Sequence, residues 1–254
     1  MRGRKHREGV AFRGKRTPAS PIQTLDLAPS PALRDTIECY WEMSWKLSSP
    51  REVVFPPTGC INLVFDPVRP LRFKIVGPRT SAYRLTLDKE GFCRGARFAP
   101  AGLSRFLDET LSLRDQVKKG CALGKMGTEL EEIFARSLSA ETLDRCFISH
   151  LRPTTPEIDL VQRATDQEFH SVSDLAKNIG VTPRTLQRVF SRHLHLPPKS
   201  WVRIQRVQKA LSGFIDLSET DSLDLALELG YHDQAHLLRD FRSITGSPPS
   251  AFKR

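Results

Sequence analysis

The sequence predicts an α+β chain in two parts. A small β-barrel with following helices comes first, then an all-α domain of two helix–turn–helix units joined by a long helix. Three observations carry that prediction. Short apolar runs punctuated by turn residues fill positions 21–100. Helical periodicity takes over from Leu103 onward. The last hundred residues then repeat themselves at a spacing of about 50. The implied division is a basic disordered tail at 1–20, a β-rich domain with helices at 21–152, a linker at 153–157 and the helical domain at 158–254.

In the first part, strands are expected at Trp41–Leu47, Glu52–Phe55, Ile61–Phe65, Leu71–Val76, Tyr83–Leu87 and Gly91–Phe98. Pro56-Pro57-Thr58-Gly59, Asp66-Pro67 and Asp88-Lys89-Glu90-Gly91 supply turns between them. Short, regularly spaced strands point to a barrel or sandwich. Helices are expected at Leu103–Val117, Thr128–Leu138 and near Leu143–Leu151, and Arg152-Pro153-Thr154-Thr155-Pro156 reads as the linker.

The repeat organises the second part. Asp174-Leu175-Ala176-Lys177-Asn178-Ile179-Gly180 matches Asp224-Leu225-Ala226-Leu227-Glu228-Leu229-Gly230, and Leu186-Gln187-Arg188-Val189-Phe190 matches Leu237-Leu238-Arg239-Asp240-Phe241. Each copy reads as helix, tight turn, helix. Ser171 is the expected cap of the first helix, and Gly180 is suited to the left-handed conformation that ends it. Thr182 then caps the second helix, with Pro183 in its first turn, where a missing N–H costs nothing. Leu186, Val189 and Phe190 recur at the helical period and face inward. In the second copy Asp221 and Asp233 are the expected caps and Gly230 makes the turn. Between the copies, Lys199 to Phe214 reads as one long helix with Trp201, Ile204, Val207, Ala210 and Leu211 on its apolar side.

The chain has 254 residues and a formal charge of +10. Six of those charges lie in residues 1–20, and the segment 157–254 nets only +1. Within it, however, Asn178 to Gly213 holds seven bases and no acids, whereas Phe214 to Asp233 holds six acids and no bases. A basic surface beside acidic support helices suits a nucleic-acid partner. No apolar run approaches the roughly 18 residues of a membrane span. Five cysteines without C-x-x-C spacing speak for a reduced, cytoplasmic setting, and Cys60 and Cys93 read as small buried apolar residues. None of the seven histidines lies between positions 7 and 149, so the strand region offers no histidine-ligated metal site or internal His base. His193-x-His195 and His232-x3-His236 have ligand-like spacing but sit in the helix–turn–helix units. No catalytic residue, metal or cofactor is expected. Tyr40, Trp41, Trp45, Phe55, Phe65 and Phe73 are candidates to line a ligand pocket, with Arg94 or Arg97 holding an anion. A filled core with surface arginines is the preferred alternative.

The second helix of a helix–turn–helix enters the major groove, where Arg pairs with guanine and Gln with adenine through two hydrogen bonds each. The expected base readers are Arg184, Thr185, Gln187 and Arg188 in the first unit and Gln234, His236 and Arg239 in the second. Arg192 and Arg242 are the expected phosphate contacts.

At these residues the chain resembles the AraC/XylS family of bacterial transcription regulators. The resemblance spans about 158–254 and rests on Arg184-Thr185-Leu186-Gln187-Arg188-Val189-Phe190, on Gly230 to His236 and on Gly246-Ser247-Pro248-Pro249-Ser250-Ala251-Phe252-Lys253-Arg254. Three positions depart from the family pattern: His195 stands where glycine is usual, His232 replaces a small hydroxyl residue, and Leu237 occupies a common aromatic position. Residues 56–65 and 95–102 resemble the cupin-like N-terminal domain of one family subgroup, whose ligand is unassigned, and that resemblance implies a sensory or oligomerisation role for 21–152. The resemblance implies a sequence-specific regulator of double-stranded DNA. A small-molecule effector, an RNA polymerase contact and a homodimer are its further candidate partners. Two other classes stay open at this point. One is a small-molecule enzyme or DNA-repair fusion carrying such a tail, and the other is a helical adaptor that binds no DNA.

Overall fold

The computed structural model describes residues 21–107, 112–167, 171–216 and 222–252. The expected tail at 1–20, the capping role of Asp221 and the closing Lys253-Arg254 lie outside these residues, as do positions 108–111 of the helix expected at Leu103–Val117.

The N-terminal region is built on β1 (Ile22–Leu27), β2 (Ile37–Lys46), β3 (Arg51–Phe55), β4 (Asn62–Phe65), β5 (Phe73–Val76), β6 (Tyr83–Leu87), β7 (Glu90–Phe98) and β8 (Val117–Lys119). Six strands form one antiparallel sheet in the order β1-β2-β7-β4-β5-β8, and β3 pairs with β6 in a separate antiparallel ribbon. All six expected strands are present. The two unexpected ones, β1 and β8, are the edges of the large sheet. An edge strand buries less, so its apolar signal is weak, and the two lysines of β8 suit an edge that must resist further pairing.

The expected barrel takes the form of two facing antiparallel sheets, with the larger one covered on both sides. On one face Met43, Trp45 and Cys93 pack with Val53 and Leu87 of the ribbon. On the other, Tyr40, Leu63, Phe65, Phe73, Ala96 and Phe98 meet Met126, Leu130, Phe134, Leu143 and Phe147. The latter five come from helices α1 (Gly124–Arg136) and α2 (Ala140–Ser149). Alternation along β2 and β7 sends successive side chains to the two cores. The Tyr40 hydroxyl donates to Asp144 Oδ1 at 2.7 Å and so ties the sheet to α2.

The helix expected at Leu103–Val117 is not formed as expected. Gly102–Arg105 is a single 3₁₀ turn, and Val117–Lys119 belongs to β8. Leu103, Phe106 and Leu113 are buried in one core, as a helical pattern requires, but from an irregular path. Asp115 has φ 53°, outside the helical region, and its carboxylate accepts from the Thr80 N–H at 2.7 Å and hydroxyl at 2.9 Å. These contacts with a distant turn override the local periodicity.

The C-terminal region comprises α3 (Pro156–Thr165), α4 (Val172–Asn178), α5 (Pro183–His193), α6 (Pro198–Asp216), α7 (Ser222–Glu228) and α8 (Gln234–Thr245). Helix α3 begins inside the expected linker. Thr155 caps it by accepting from the Ile158 N–H at 3.3 Å, and Pro156 occupies its first turn. Two cores share α6. Trp201 and Ile204 pack with Leu175, Ala176, Leu186, Val189 and Phe190, while Val207, Ala210 and Leu211 pack with Ala226, Leu237 and Phe241.

The N-terminal region grips this helical pair. The Pro57 carbonyl accepts from Gln208 Nε2 at 2.7 Å and the Thr58 carbonyl from Gln205 Nε2 at 3.3 Å. Gly59, at φ +75°, turns the chain against Trp201 and Ile204 of α6. Ala101 is buried in the first C-terminal core, and the Ala82 N–H donates to the Ile244 carbonyl at 2.7 Å.

Candidate nucleic-acid interface

The first unit is assembled by the short-range chemistry that its sequence announces. Ser171 accepts from the Asp174 N–H at 3.0 Å and caps α4. Gly180 at φ +73° ends that helix, and the Val181 N–H closes on the Ala176 carbonyl at 2.9 Å. Thr182 accepts from the Thr185 N–H at 3.1 Å, so α5 starts where its cap and Pro183 demand. Leu186, Val189 and Phe190 are buried, and Phe190 meets Trp201 edge-on with ring centroids 5.9 Å apart. Burial of that face leaves Arg184, Gln187, Arg188 and Arg192 exposed at helical spacing. Thr185 is half-buried and its hydroxyl lies 2.9 Å from that of Thr182, so it serves the cap.

The second unit repeats this construction. Gly230 has φ +73°, and the Tyr231 N–H closes on the Ala226 carbonyl at 2.9 Å. Asp233 Oδ1 accepts from the His236 N–H at 2.6 Å, which holds the Asp233 carboxyl below its ordinary range and caps α8. Leu237 is fully buried, so its departure from the family pattern leaves the packing intact. His232 is exposed beside the cap. Gln234, His236, Arg239 and Arg242 are exposed on α8. The His236 ring rests edge-on against Tyr231 at 5.2 Å.

His195 does occupy a left-handed position, with φ 55°. It is buried, and burial pushes its ring down to about 4. His193 is committed elsewhere: its Nδ1 lies 3.0 Å from Ser104 Oγ and its Nε2 lies 3.2 Å from Glu157. Glu157 is a residue that sequence reasoning missed. Its carboxylate also accepts from Arg188 Nη1 at 2.5 Å and from Arg192 Nη1 at 2.9 Å. The Arg188 guanidinium, with His193 and Arg192 beside it, holds the Glu157 carboxyl down to about 2. No local pattern marks a partner 31 positions away.

The aromatic residues offered as a ligand pocket divide between two faces. Tyr40, Phe65 and Phe73 lie on the helix side of the sheet, and Trp41, Trp45 and Phe55 on the ribbon side. The two offered arginines both meet carboxylates. Arg94 donates to Glu42 at 2.6 Å and to the Phe134 carbonyl at 2.9 Å, and Arg97 lies 3.6 Å from Glu38. An open groove of about 450 Å³ crosses β1, β2 and β7, lined by Glu42, Trp45, Glu90 and Arg94 among others. Burial pushes the thiols of Cys39, Cys93 and Cys146 up to about 12, which keeps them protonated and poor nucleophiles. Glu129, Cys146 and His150 have ligand-type atoms within 4.8 Å of one another. Cys146, however, donates its S–H to Glu129 at 3.7 Å, and His150 Nδ1 lies 3.0 Å from the Cys146 carbonyl.

Comparison with known proteins bears on both regions. A family model described as a helix-turn-helix domain matches residues 175–254, and a domain of unknown function (DUF6597) matches residues 25–118. YkgA of Escherichia coli (strain K12), named as an HTH-type transcriptional regulator, is 28% identical over 83 residues, which are 33% of this chain and 34% of that protein. The transcriptional activator NphR of Rhodococcus sp is 29% identical over 106 residues, 39% of this chain and 30% of that protein. The chain thus spans about a third of the length of these curated relatives. Among solved structures, ToxT from Vibrio cholerae aligns at 12% identity over 92% of this chain and 98% of that one, with a TM-score of 0.41. No helix among the described residues is long and apolar enough to cross a membrane. The repeated helix–turn–helix on a shared central helix, the helix-turn-helix family model over residues 175–254 and the helix–turn–helix regulators among its relatives show that the C-terminal region is a helix–turn–helix domain similar to that of AraC/XylS-type regulators.

Proposed function

We propose that this chain is a sequence-specific, DNA-binding transcription regulator of the cytoplasm, and not an enzyme. Helices α5 and α8 enter two successive major grooves on one face of the duplex, about one helical turn (roughly 10 bp) apart. Arg184, Gln187 and Arg188 read bases in the first groove, with Thr185 at the start of the helix. Gln234, His236 and Arg239 read the second, and Arg192 and Arg242 hold phosphates. The observation that carries this reading is the pair of exposed polar faces on the second helix of each repeated unit, each set on a buried apolar face and a strong cap. The N-terminal region is the proposed seat of a small-molecule effector. It touches both units and the helix between them, so a change in its packing reaches the DNA-binding surface directly. A homodimer and an RNA polymerase contact are further proposed partners.

The test is Arg188→Ala. On a duplex selected by the wild-type chain, affinity should fall on the order of ten- to a hundredfold, the worth of one bidentate base contact. On random duplex the loss should be about threefold or less. Equal loss on both would make Arg188 a phosphate contact.

A further inference from the structure

Glu157 stands outside the recognition helix, yet three donors of α5 converge on it. Arg188 donates Nη1 to Oε1, whereas Arg192 Nη1 and His193 Nε2 meet Oε2. The arginine side chains are about half exposed (53% and 49%), while Glu157 is 29% and His193 11% exposed. The carboxylate is therefore the anchored partner and the guanidinium groups are the solvent-facing ones. The anchor is itself braced. Burial lowers the affinity of the His193 ring for a second proton. With Nε2–H donated to Glu157, Nδ1 is left to accept from the Ser104 hydroxyl of the N-terminal region.

This arrangement bears on base reading. A guanidinium carries five N–H donors, and Glu157 takes one of those on Arg188. The fork keeps a full edge of the kind that guanine O6 and N7 accept together. A long side chain held at one nitrogen explores fewer rotamers, so less freedom is lost when the other edge meets a base. The fixed negative charge also disfavours any arrangement that brings a phosphate or base acceptor to that nitrogen. A carboxylate that merely competed with DNA for these arginines would instead weaken all DNA binding alike.

Resting on the regulatory reading above, we propose that Glu157 is a positioning residue that sets the specificity of the first unit. It orients Arg188 toward one base pair while His193 and Ser104 hold the carboxylate in place. The test is selection from a random duplex library by the full-length wild-type chain, Arg188→Ala, Glu157→Gln and Glu157→Asp. Arg188→Ala identifies the base pair that Arg188 reads. Glu157→Gln, nearly identical in shape, is expected to relax preference at that same base pair by about tenfold or more, the scale of a bidentate contact. Preferences assigned to α8 should stay within about twofold, since none of its readers meets Glu157, and the gain in affinity for random duplex from releasing Arg192, a proposed phosphate contact, should stay small beside the lost preference, at about threefold or less. Glu157→Asp keeps the charge and should retain most of the preference, and it decides the matter if the glutamine variant melts in circular dichroism. Unchanged preference at the Arg188 base pair in the folded variants overturns the proposal. So does a uniform gain in affinity for selected and random DNA, which would make Glu157 a competitor of phosphate. A wild-type chain that selects no motif overturns the regulatory reading itself, a different result from either.

Discussion

In the first helix–turn–helix unit the carboxylate that meets the recognition helix arrives from α3; in the second it sits on the recognition helix itself. Asp240 holds the repeat position of Val189. It accepts from Arg203 of α6 and, at 3.0 Å, from the Tyr231 hydroxyl, and Arg203 reaches on to Ser243 Oγ at 3.2 Å. Glu157 draws on Arg188 and Arg192, which are proposed to face DNA, whereas Asp240 draws on a linking-helix arginine and binds α8 to α6. Arg239, the repeat counterpart of Arg188, donates Nε to the Ala235 carbonyl of its own helix. The same local fold thus carries two designs. One places its ion pairs on the proposed reading surface, the other on the scaffold. Base selectivity is therefore expected to be sharper in the first groove.

The units also differ at their ends. Both recognition helices finish in a left-handed residue at equivalent positions, but one is His195 (φ 55°) and the other Gly246 (φ 68°). Both touch the N-terminal region two residues earlier, again at equivalent positions. His193 does so through its ring to Ser104, and Ile244 through its carbonyl to Ala82. The first contact is a side-chain contact on the way to Glu157, and the second is a backbone contact that any residue could make.

Three measurements would break or sharpen this comparison. The largest effect is expected from Phe190→Ala and Phe241→Ala, which truncate equivalent, fully buried rings, each at a cost of about 3–5 kcal/mol in denaturant unfolding. A cost below about 1 kcal/mol for either would show that the two cores are not equivalent supports.

Next is the pH dependence of the first unit. The unfolded chain protonates His195 near 6.5, while burial in the folded chain delays that to about 4. Between those values the unfolded state binds more protons, so stability is full above pH 6.5 and falls as pH drops toward 4. The total is about 3 kcal/mol for a shift of this size. His193, lowered by burial, acts with the same sign. His195→Asn tolerates the left-handed conformation and should flatten the slope in that window. An unchanged slope in equilibrium unfolding would remove His195 from the account.

The smallest expected effect is Gly246→Ala. A Cβ there meets nothing within 4 Å, so the cost is conformational alone, about 1 kcal/mol by thermal unfolding. No loss would mean that the second unit has no advantage at its helix end.

Much of this was legible because its cause is local. Thr182, Pro183 and Gly180 act on neighbours within three or four positions, and so does Asp233, so cap, helix start and turn can be read from spacing. The repeat doubled every such signal. The strained His195 was legible too, because the family's glycine marks where φ must be positive. What stayed hidden was long in sequence or weak in polarity. The edge strands β1 and β8 lack a strong apolar pattern. The segment after Leu103 has helical spacing but takes its path from Thr80 and Asp115. The aromatic residues of the strands look like one cluster until alternation deals them to two faces.

By itself the sequence determined the repeated helix–turn–helix, its caps and turns, and which side chains of α5 and α8 must face out, because hydrogen bonds and helical periodicity within a few residues settle those. Only the tertiary structure decided which carboxylates meet which arginines, and that Pro57-Thr58-Gly59 docks on the central helix. Glu157 meets Arg188 across 31 residues and Gln208 reaches Pro57 across 151. A pairing at such separation leaves no period in the chain, because it exists only once packed helices and sheets bring the two groups within hydrogen-bond reach.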